Sequence, residues 1–249
     1  MLETLIAMKS KIRFALGITG AALLLFGVVS PIMAETNSAA RMKTMSKLPD
    51  WSGIWVVKGT NRTLDPSGKT LRYNEDWLNR LDDEERKHNT KRDSLTLTCL
   101  AGFPRLLAMP YPFAIMITPE QVLIHYAHRE VRHIYTDGRE HPPVDELWPN
   151  PWGDSVGHWE GNTLVISTIS TKPDLWIDST GATLSAQVEI TERISMVDSW
   201  HLKNEITIDD PTSLETQWKF TRLYRRTLAM DIVDEQCDFG AIRKSKDAK

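Results

Sequence analysis

Residues 121–165 read QVLIHYAHREVRHIYTDGREHPPVDELWPNPWGDSVGHWEGNTLV, and they decide the fold. Apolar and polar residues alternate from Gln121 to Ala127 and again from Val131 to Thr136. Alternation over this length is the pattern of a half-buried strand. Asp137-Gly138 ends the second run, and Glu160-Gly161-Asn162 joins Ser155–Trp159 to Thr163–Ser170. Both are turn signals, because glycine there takes the positive φ a tight turn needs. The stretch also holds five of the seven histidines and three of the nine tryptophans. Any chemical site is expected here.

The same pattern extends in both directions. Pro49 to Val57 opens a first strand, and Phe113–Thr118 precedes the central hairpin. Leu184–Ser195, Trp200–Ile208 and Thr216–Thr227 follow it, and a last strand runs from Leu228 or Met230 to Gln236. Asn74–Arg92 differs: Trp77, Leu78 and Leu81 share one helical face and charges fill the rest, so a surface helix is expected, with His88 exposed on it. Three prolines between Pro104 and Pro112 exclude a helix there. No repeat of 20–50 residues is visible. The expected architecture is mainly β: an antiparallel calycin-like β-barrel of about 8–10 strands with one surface helix. A closed barrel is favoured because it leaves no strand edge to protect.

The amino terminus reads as a targeting segment. Lys9, Lys11 and Arg13 form a basic region, Phe14–Val29 an apolar one, and cleavage is expected after Ala34, with Met8 as the start of the signal. An apolar run of about 16 residues is shorter than the roughly 20 a spanning helix needs, so no stable membrane anchor is expected. The divisions are a signal peptide at 1–34, a polar leader at 35–48, one barrel domain at 49–240 and a disordered basic tail at 241–249. The protein is expected to be periplasmic or secreted. Net charge is −3 and the isoelectric point about 6.2, so no nucleic-acid partner is expected. Cys99 and Cys237 are the only cysteines. In an exported chain they are expected to pair, closing a loop of about 138 residues worth up to roughly 4–5 kcal/mol; two separate buried thiols are the alternative.

Candidate chemistry falls into four groups. A two-residue connection at Arg129-Glu130 would pair His128 with Val131 and Tyr126 with His133. One face then carries Tyr126, His128, His133 and Tyr135, and the other Leu123, His125, Ala127, Arg132 and Ile134. A three-residue connection would shift the pairing and mix the sets. Three imidazoles suit zinc, but H-x2-H-x4-H matches no familiar ligand spacing, so no metal and no cofactor are expected. The second group is His158 with Glu160, on one side of a strand with Trp159 opposite. The third is Tyr135, Asp137, Arg139 and His141, the last held extended by the proline after it. The fourth is Asp154, Trp176 and Asp178. For each, the plain alternative is turn formation, capping or solvation. Glu140–Trp152, with four prolines, is long enough to be a lid and has Trp148 and Trp152 to bury. On Leu184–Ser195, Glu192 and Arg193 point to opposite sides; the inward one must be paired, and Arg132 is a possible partner.

Two resemblances follow from these residues. Gly53-x-Trp55 at the start of a strand resembles the opening motif of lipocalins, where the tryptophan closes the barrel base against a late-strand arginine; Arg222 or Arg225 would serve. Phe103-Pro104-Arg105, Tyr135-Thr136-Asp137-Gly138-Arg139, His141-Pro142, Ser155-x-Gly157-x-Trp159-Glu160-Gly161-x-Thr163-Leu164-Val165 and Thr191-Glu192-Arg193 resemble an abundant, mostly uncharacterised family of secreted bacterial proteins. The likeness covers about residues 49–238 and implies a calycin-like barrel with an amphipathic cavity.

The functional expectation is acid–base chemistry, without a cofactor, on an apolar or aromatic small metabolite, of isomerase, cyclase, lyase or hydratase type. His125, Tyr135, His141 and His158 are the expected proton-transfer groups in one cavity. Arg132, Tyr126, Trp148, Trp152, Trp159 and Trp176 are the expected substrate contacts. The alternative is a periplasmic lipocalin-like carrier or sensor. There is no G-x-S-x-G elbow, no P-loop and no G-x-G-x-x-G after a strand.

Overall fold

The computed structural model describes residues 40–59, 63–88, 102–127, 130–173, 175–178 and 180–232, with the side chains of 82–88 and 130 excepted. The signal peptide, residues 35–39 of the leader, Cys99, Cys237, His128, Asp174 and the basic tail lie outside the described residues, as does the side chain of His88. The described residues from Arg41 onward belong to one compact unit.

Nine strands close into one barrel in sequence order. They are β1 (Ile54–Val57), β2 (Phe113–Ile117), β3 (Gln121–Tyr126), β4 (Glu130–Tyr135), β5 (Asp154–Glu160), β6 (Thr163–Ile169), β7 (Glu189–Asp198), β8 (His201–Asp209) and β9 (Trp218–Thr227). β9 pairs with β1 along four residues, Ile54↔Thr227 to Val57↔Tyr224, and shuts the ring. An odd ring cannot alternate direction throughout, so one neighbouring pair must be parallel. That pair is β4 with β5, joined through Tyr135↔Val156, where the expectation was antiparallel throughout. The Pro-rich connection carries the chain back across the barrel and makes this possible. Residues 228–232 are not in a strand, and the rest of the expected tenth strand lies outside the described residues.

The helix α1 (Glu75–His88) starts where the sequence asks it to. Asn74 Oδ1 accepts the Trp77 N–H at 2.8 Å, and Glu75 and Asp76 suit the positive end of the helix dipole. Trp77 is buried, whereas Leu78 is half exposed, so the apolar edge is narrower than expected. The prolines around residues 104–112 leave only a 3-10 turn at Arg105–Ala108. The seventh strand begins at Glu189 rather than at Leu184. Residues 184–188 are held off the sheet by Asp210, whose carboxylate accepts the Ser185 N–H at 2.7 Å and the Ser213 hydroxyl at 2.6 Å.

The central hairpin takes the three-residue connection. Tyr126 pairs with Glu130, His125 with Val131 and Ile124 with Arg132. The two-residue register is therefore corrected. Val122, Ile124, Tyr126, Arg132 and Ile134 are buried in the barrel, and His125, His133 and Tyr135 point outward.

The interior is filled in layers. On β7 the inward residues are Ile190, Glu192 and Ile194; on β8 they are Ile208, Ile206, Asn204 and Leu202; on β9 they are Phe220, Arg222 and Tyr224. Ile190, Ile206 and Phe220 belong to one apolar cluster, and Ile194, Leu202 and Tyr224 to another. Glu192, Asn204 and Arg222 form a polar layer between them. Phe103, Leu107, Ile177 and Leu184 pack with the first cluster and plug that end of the barrel. At the other end Arg226, inward on β9, places its guanidinium 4.8 Å from the Trp55 ring centre. Arg226, not Arg222 or Arg225, is thus the late-strand partner of Trp55. Arg222 instead donates to the carbonyls of Thr63 and Leu64, both at 2.6 Å, and Arg225 is exposed.

Candidate functional site

Burial of charge marks the first candidate. Arg132 and Glu192 are both essentially inaccessible, at 1% and 0%. Alternation on β4 and β7 aims them inward, so each needs a partner, and each is the other's. Arg132 Nη2 lies 2.6 Å from Glu192 Oε2, 2.8 Å from Thr168 Oγ1 and 3.3 Å from Ser155 Oγ. Asn204 Nδ2 donates to the second carboxylate oxygen at 2.7 Å. The Arg132 guanidinium also sits 3.7 Å over the Phe103 ring. The set is incompletely satisfied: Arg132 Nε, Arg132 Nη1 and Asn204 Oδ1 have no hydrogen-bond partner among the described residues. Buried polar groups left this way cost about 1–3 kcal/mol each, so they call for a functional account.

Glu192 and Asn204 line a chamber whose other polar walls are Tyr126 and Tyr224. The remaining walls are apolar, and of all the lining residues only Leu107 comes from outside a strand. The free space is about 10 Å³, close to that of one water. Burial pushes the Tyr224 phenol well above its ordinary value of 10.0, so it remains a proton donor at neutral pH. Its hydroxyl reaches the Leu107 carbonyl at 3.4 Å. Phe113 meets Tyr224 edge-on at 5.1 Å and Tyr126 at 5.4 Å. Tyr126 in turn stacks on Trp152 at 6.2 Å. Of the expected substrate contacts, Tyr126 lines this chamber, whereas Arg132 stands behind it and is joined to it through Glu192. Trp159 faces inward elsewhere, 5.3 Å from Trp51. Trp176 is half-buried beside the plug, and Trp148 is 87% exposed, so the loop leaves one of its two tryptophans in solvent.

The four expected proton-transfer groups do not share a cavity. His125 and Tyr135 lie on the outer face, with four positions of strand between their levels. His158 is also outward and exposed, 3.3 Å from Glu160 Oε1. Arg193 first and His158 second hold the Glu160 carboxyl below its ordinary value. Asp137 is held down in the same way by Arg139, which forks onto it at 2.6–3.1 Å and lies 3.9 Å over Tyr135. Asp178 is buried and ties loops together, accepting from the Leu64 N–H at 3.1 Å and the Thr180 N–H at 2.8 Å.

His141 is built into a connected set that is mostly shielded from solvent, unlike the exposed His158–Glu160–Arg193 chain. Its Nδ1 is 2.6 Å from Asp154 Oδ1 and its Nε2 is 3.0 Å from Ser167 Oγ. Ser167 also reaches Glu189 Oε1 at 3.2 Å. His141 and Asp154 are about one-fifth exposed, at 18% and 21%. No group of three or more potential metal ligands occurs among the described residues. Two open clefts, of about 370 and 430 Å³, hold none of the expected proton-transfer groups or substrate contacts; Asp178 lines the first.

Asn204, Tyr224, Ser167 and Glu189 were not singled out from sequence. Asn204 and Tyr224 stand in the apolar phase of their strands, which is a readable signal. Ser167 and Glu189 stand in outward phases and give none. No protein-family model matches the chain, and no curated protein does.

Proposed function

We propose that the protein is a cofactor-independent acid–base enzyme that acts on a small apolar or aromatic metabolite held in the barrel chamber. The observation that carries this reading is the buried Arg132–Glu192–Asn204 set with three unsatisfied polar atoms beside an otherwise apolar space. Such a site offers a carboxylate as base, a phenol that keeps its proton, and guanidinium N–H groups for developing oxygen charge. Proton abstraction next to a carbonyl, as in isomerisation or elimination, uses all three. A ligand larger than water needs more room, and Leu107 is the one wall residue that can withdraw without opening the sheet. Buried ionisable groups held by specific charge partners beside a cavity are gathered at functional sites.

The alternative is a carrier or sensor of a hydrophobic small molecule, and the apolar walls favour it. One experiment separates the two. A metabolite panel is screened by thermal shift and native mass spectrometry, and hits are then assayed for conversion by wild type and Glu192→Gln. Conversion lost in the variant while binding persists supports an enzyme; binding without conversion in either supports a carrier; no bound compound in the panel rejects both.

Export, the Cys99–Cys237 bridge and membership of the calycin-like secreted family belong to the same proposal. They rest on the basic-then-apolar amino terminus, the even cysteine count and the motifs quoted above. Intact mass after expression with the leader tests cleavage after Ala34, and two free thiols in the denatured, unreduced protein would reject the bridge.

A further inference from the structure

We infer that Ser167 is a nucleophile, activated by His141 and oriented through Asp154, and that the outer face of the barrel carries a second site for small esters that bear no negative charge. The chamber has no part in this site.

The argument starts from strand geometry. Ser167 lies in the middle of β6, hydrogen-bonded to β5 on one side and β7 on the other through Val156↔Ser167 and Ser167↔Thr191. Its Cα is therefore held rigidly, and its side chain points outward. Asp154 is the first residue of β5, on the same face. His141 comes from the Pro-rich connection, its backbone restricted by Pro142. The imidazole thus bridges two strand residues along a line: Asp154 Oδ1 at 2.6 Å from one nitrogen, Ser167 Oγ at 3.0 Å from the other. A nucleophile within reach of a base that a third group orients is the arrangement used for covalent acyl transfer. With Nδ1–H donating to Asp154, Nε2 carries the lone pair that Ser167 Oγ–H needs.

Glu189 competes for the same hydroxyl hydrogen, at 3.2 Å against 3.0 Å for His141. The proton turns from Glu189 to His141 by rotation about a single bond. The Glu189 carboxylate also sets the substrate class, because with Asp154 it makes the surroundings anionic and repels anionic acyl groups. A donor for a developing oxyanion on the same face is the Thr191 hydroxyl. It belongs to the direct cross-strand neighbour of Ser167 on the same face, at a Cβ separation of about 4.5–5.5 Å.

In the reaction, Ser167 Oγ adds to the ester carbonyl carbon as its proton passes to His141 Nε2. The bond from the carbonyl carbon to the alkoxy oxygen then breaks, and the leaving oxygen takes that proton as the alcohol. Water attacks the acyl-serine, gives one proton to His141 and releases the carboxylic acid, and the proton returns to Ser167 Oγ. Nothing is oxidised or reduced.

The test uses a fluorophosphonate probe and p-nitrophenyl acetate on the full chain. The expected result is one adduct per chain, mapped by mass spectrometry to Ser167. It should be absent in Ser167→Ala and formed at least 100-fold more slowly in His141→Asn, with a burst of p-nitrophenol in wild type. Thermal denaturation checks that both variants stay folded. Should a variant unfold, the site of labelling in wild type still decides. No adduct at Ser167, or labelling of His141→Asn at the wild-type rate, would overturn the inference and leave His141 as a structural tie between loop and sheet.

Discussion

Removing Glu192 or Arg132 singly should be far more damaging than removing both. In Glu192→Leu the Arg132 guanidinium, 1% exposed, keeps its charge but loses the 2.6 Å carboxylate contact. Its remaining partners are two neutral hydroxyls, and Asn204 Nδ2 loses its acceptor as well. Breaking a buried pair by deleting one member costs about 3–5 kcal/mol, whereas an apolar pair of similar volume is often neutral. For a domain of this size each kcal/mol moves the melting temperature by about 2–4 °C, so Glu192→Leu should melt roughly 6–20 °C below wild type. Arg132→Met should fall similarly, and the double variant should recover most of the loss. Urea unfolding of all four proteins closes the double-mutant cycle, and equal m-values confirm that the same surface is exposed in each. If the two single effects simply add in the double variant, the pair is not coupled and the reasoning fails. A stable double variant that no longer binds the chamber ligand would assign the pair to function rather than to folding.

Four further outcomes follow from named contacts. Leu107→Ala should cost about 2–5 kcal/mol by enlarging the chamber, and calorimetry with a single-ring aromatic probe should show tighter binding than in wild type. Arg226→Ala should cost about 0.5–2 kcal/mol through the lost Trp55 contact, while Arg225→Ala, an exposed site, stays within about 0.5 kcal/mol; chemical denaturation distinguishes them. Gly153→Ala should destabilise by more than about 1 kcal/mol, because φ is +70° and a Cβ would stand 2.5 Å from the Ile169 carbonyl; thermal melting checks it. The Glu160 carboxyl, lowered from 4.5 by Arg193 and His158, is more acidic folded than unfolded. Its contribution is present above that value and is lost as pH falls through the depressed one. Arg193→Ala should bring its titration back toward 4.5 by NMR and weaken the pH dependence in that acid window.

Much of the barrel is written in local pattern. Strand alternation needs only neighbouring residues, which is why β2 to β6 lie within a residue or two of where the sequence puts them. The same rule turned one of Glu192 and Arg193 inward and made Arg132 a possible partner; the strand phase in the structure makes Glu192 that residue. The mixed-phase residues Asn204 and Tyr224 obeyed the same logic and completed the chamber.

What the chain could not announce was register and reach. A connection of two or three residues between Tyr126 and Val131 differs locally by one hydrogen-bond step, yet it changes which residues stand opposite one another and which share a face. Only packing of Ile124 and Arg132 against the filled interior selects between them. The parallel β4–β5 contact is set by closure, since nine strands cannot alternate around a ring. The same crossing brings His141 back onto Asp154 and Ser167, 13 and 26 residues away, and leaves Trp148 in solvent. Alternation and turn chemistry therefore determined the mainly β class, most strand positions and the buried charge. Closure of the ring and filling of its interior decided which side chains meet, because those energies arise only between residues that sequence leaves far apart.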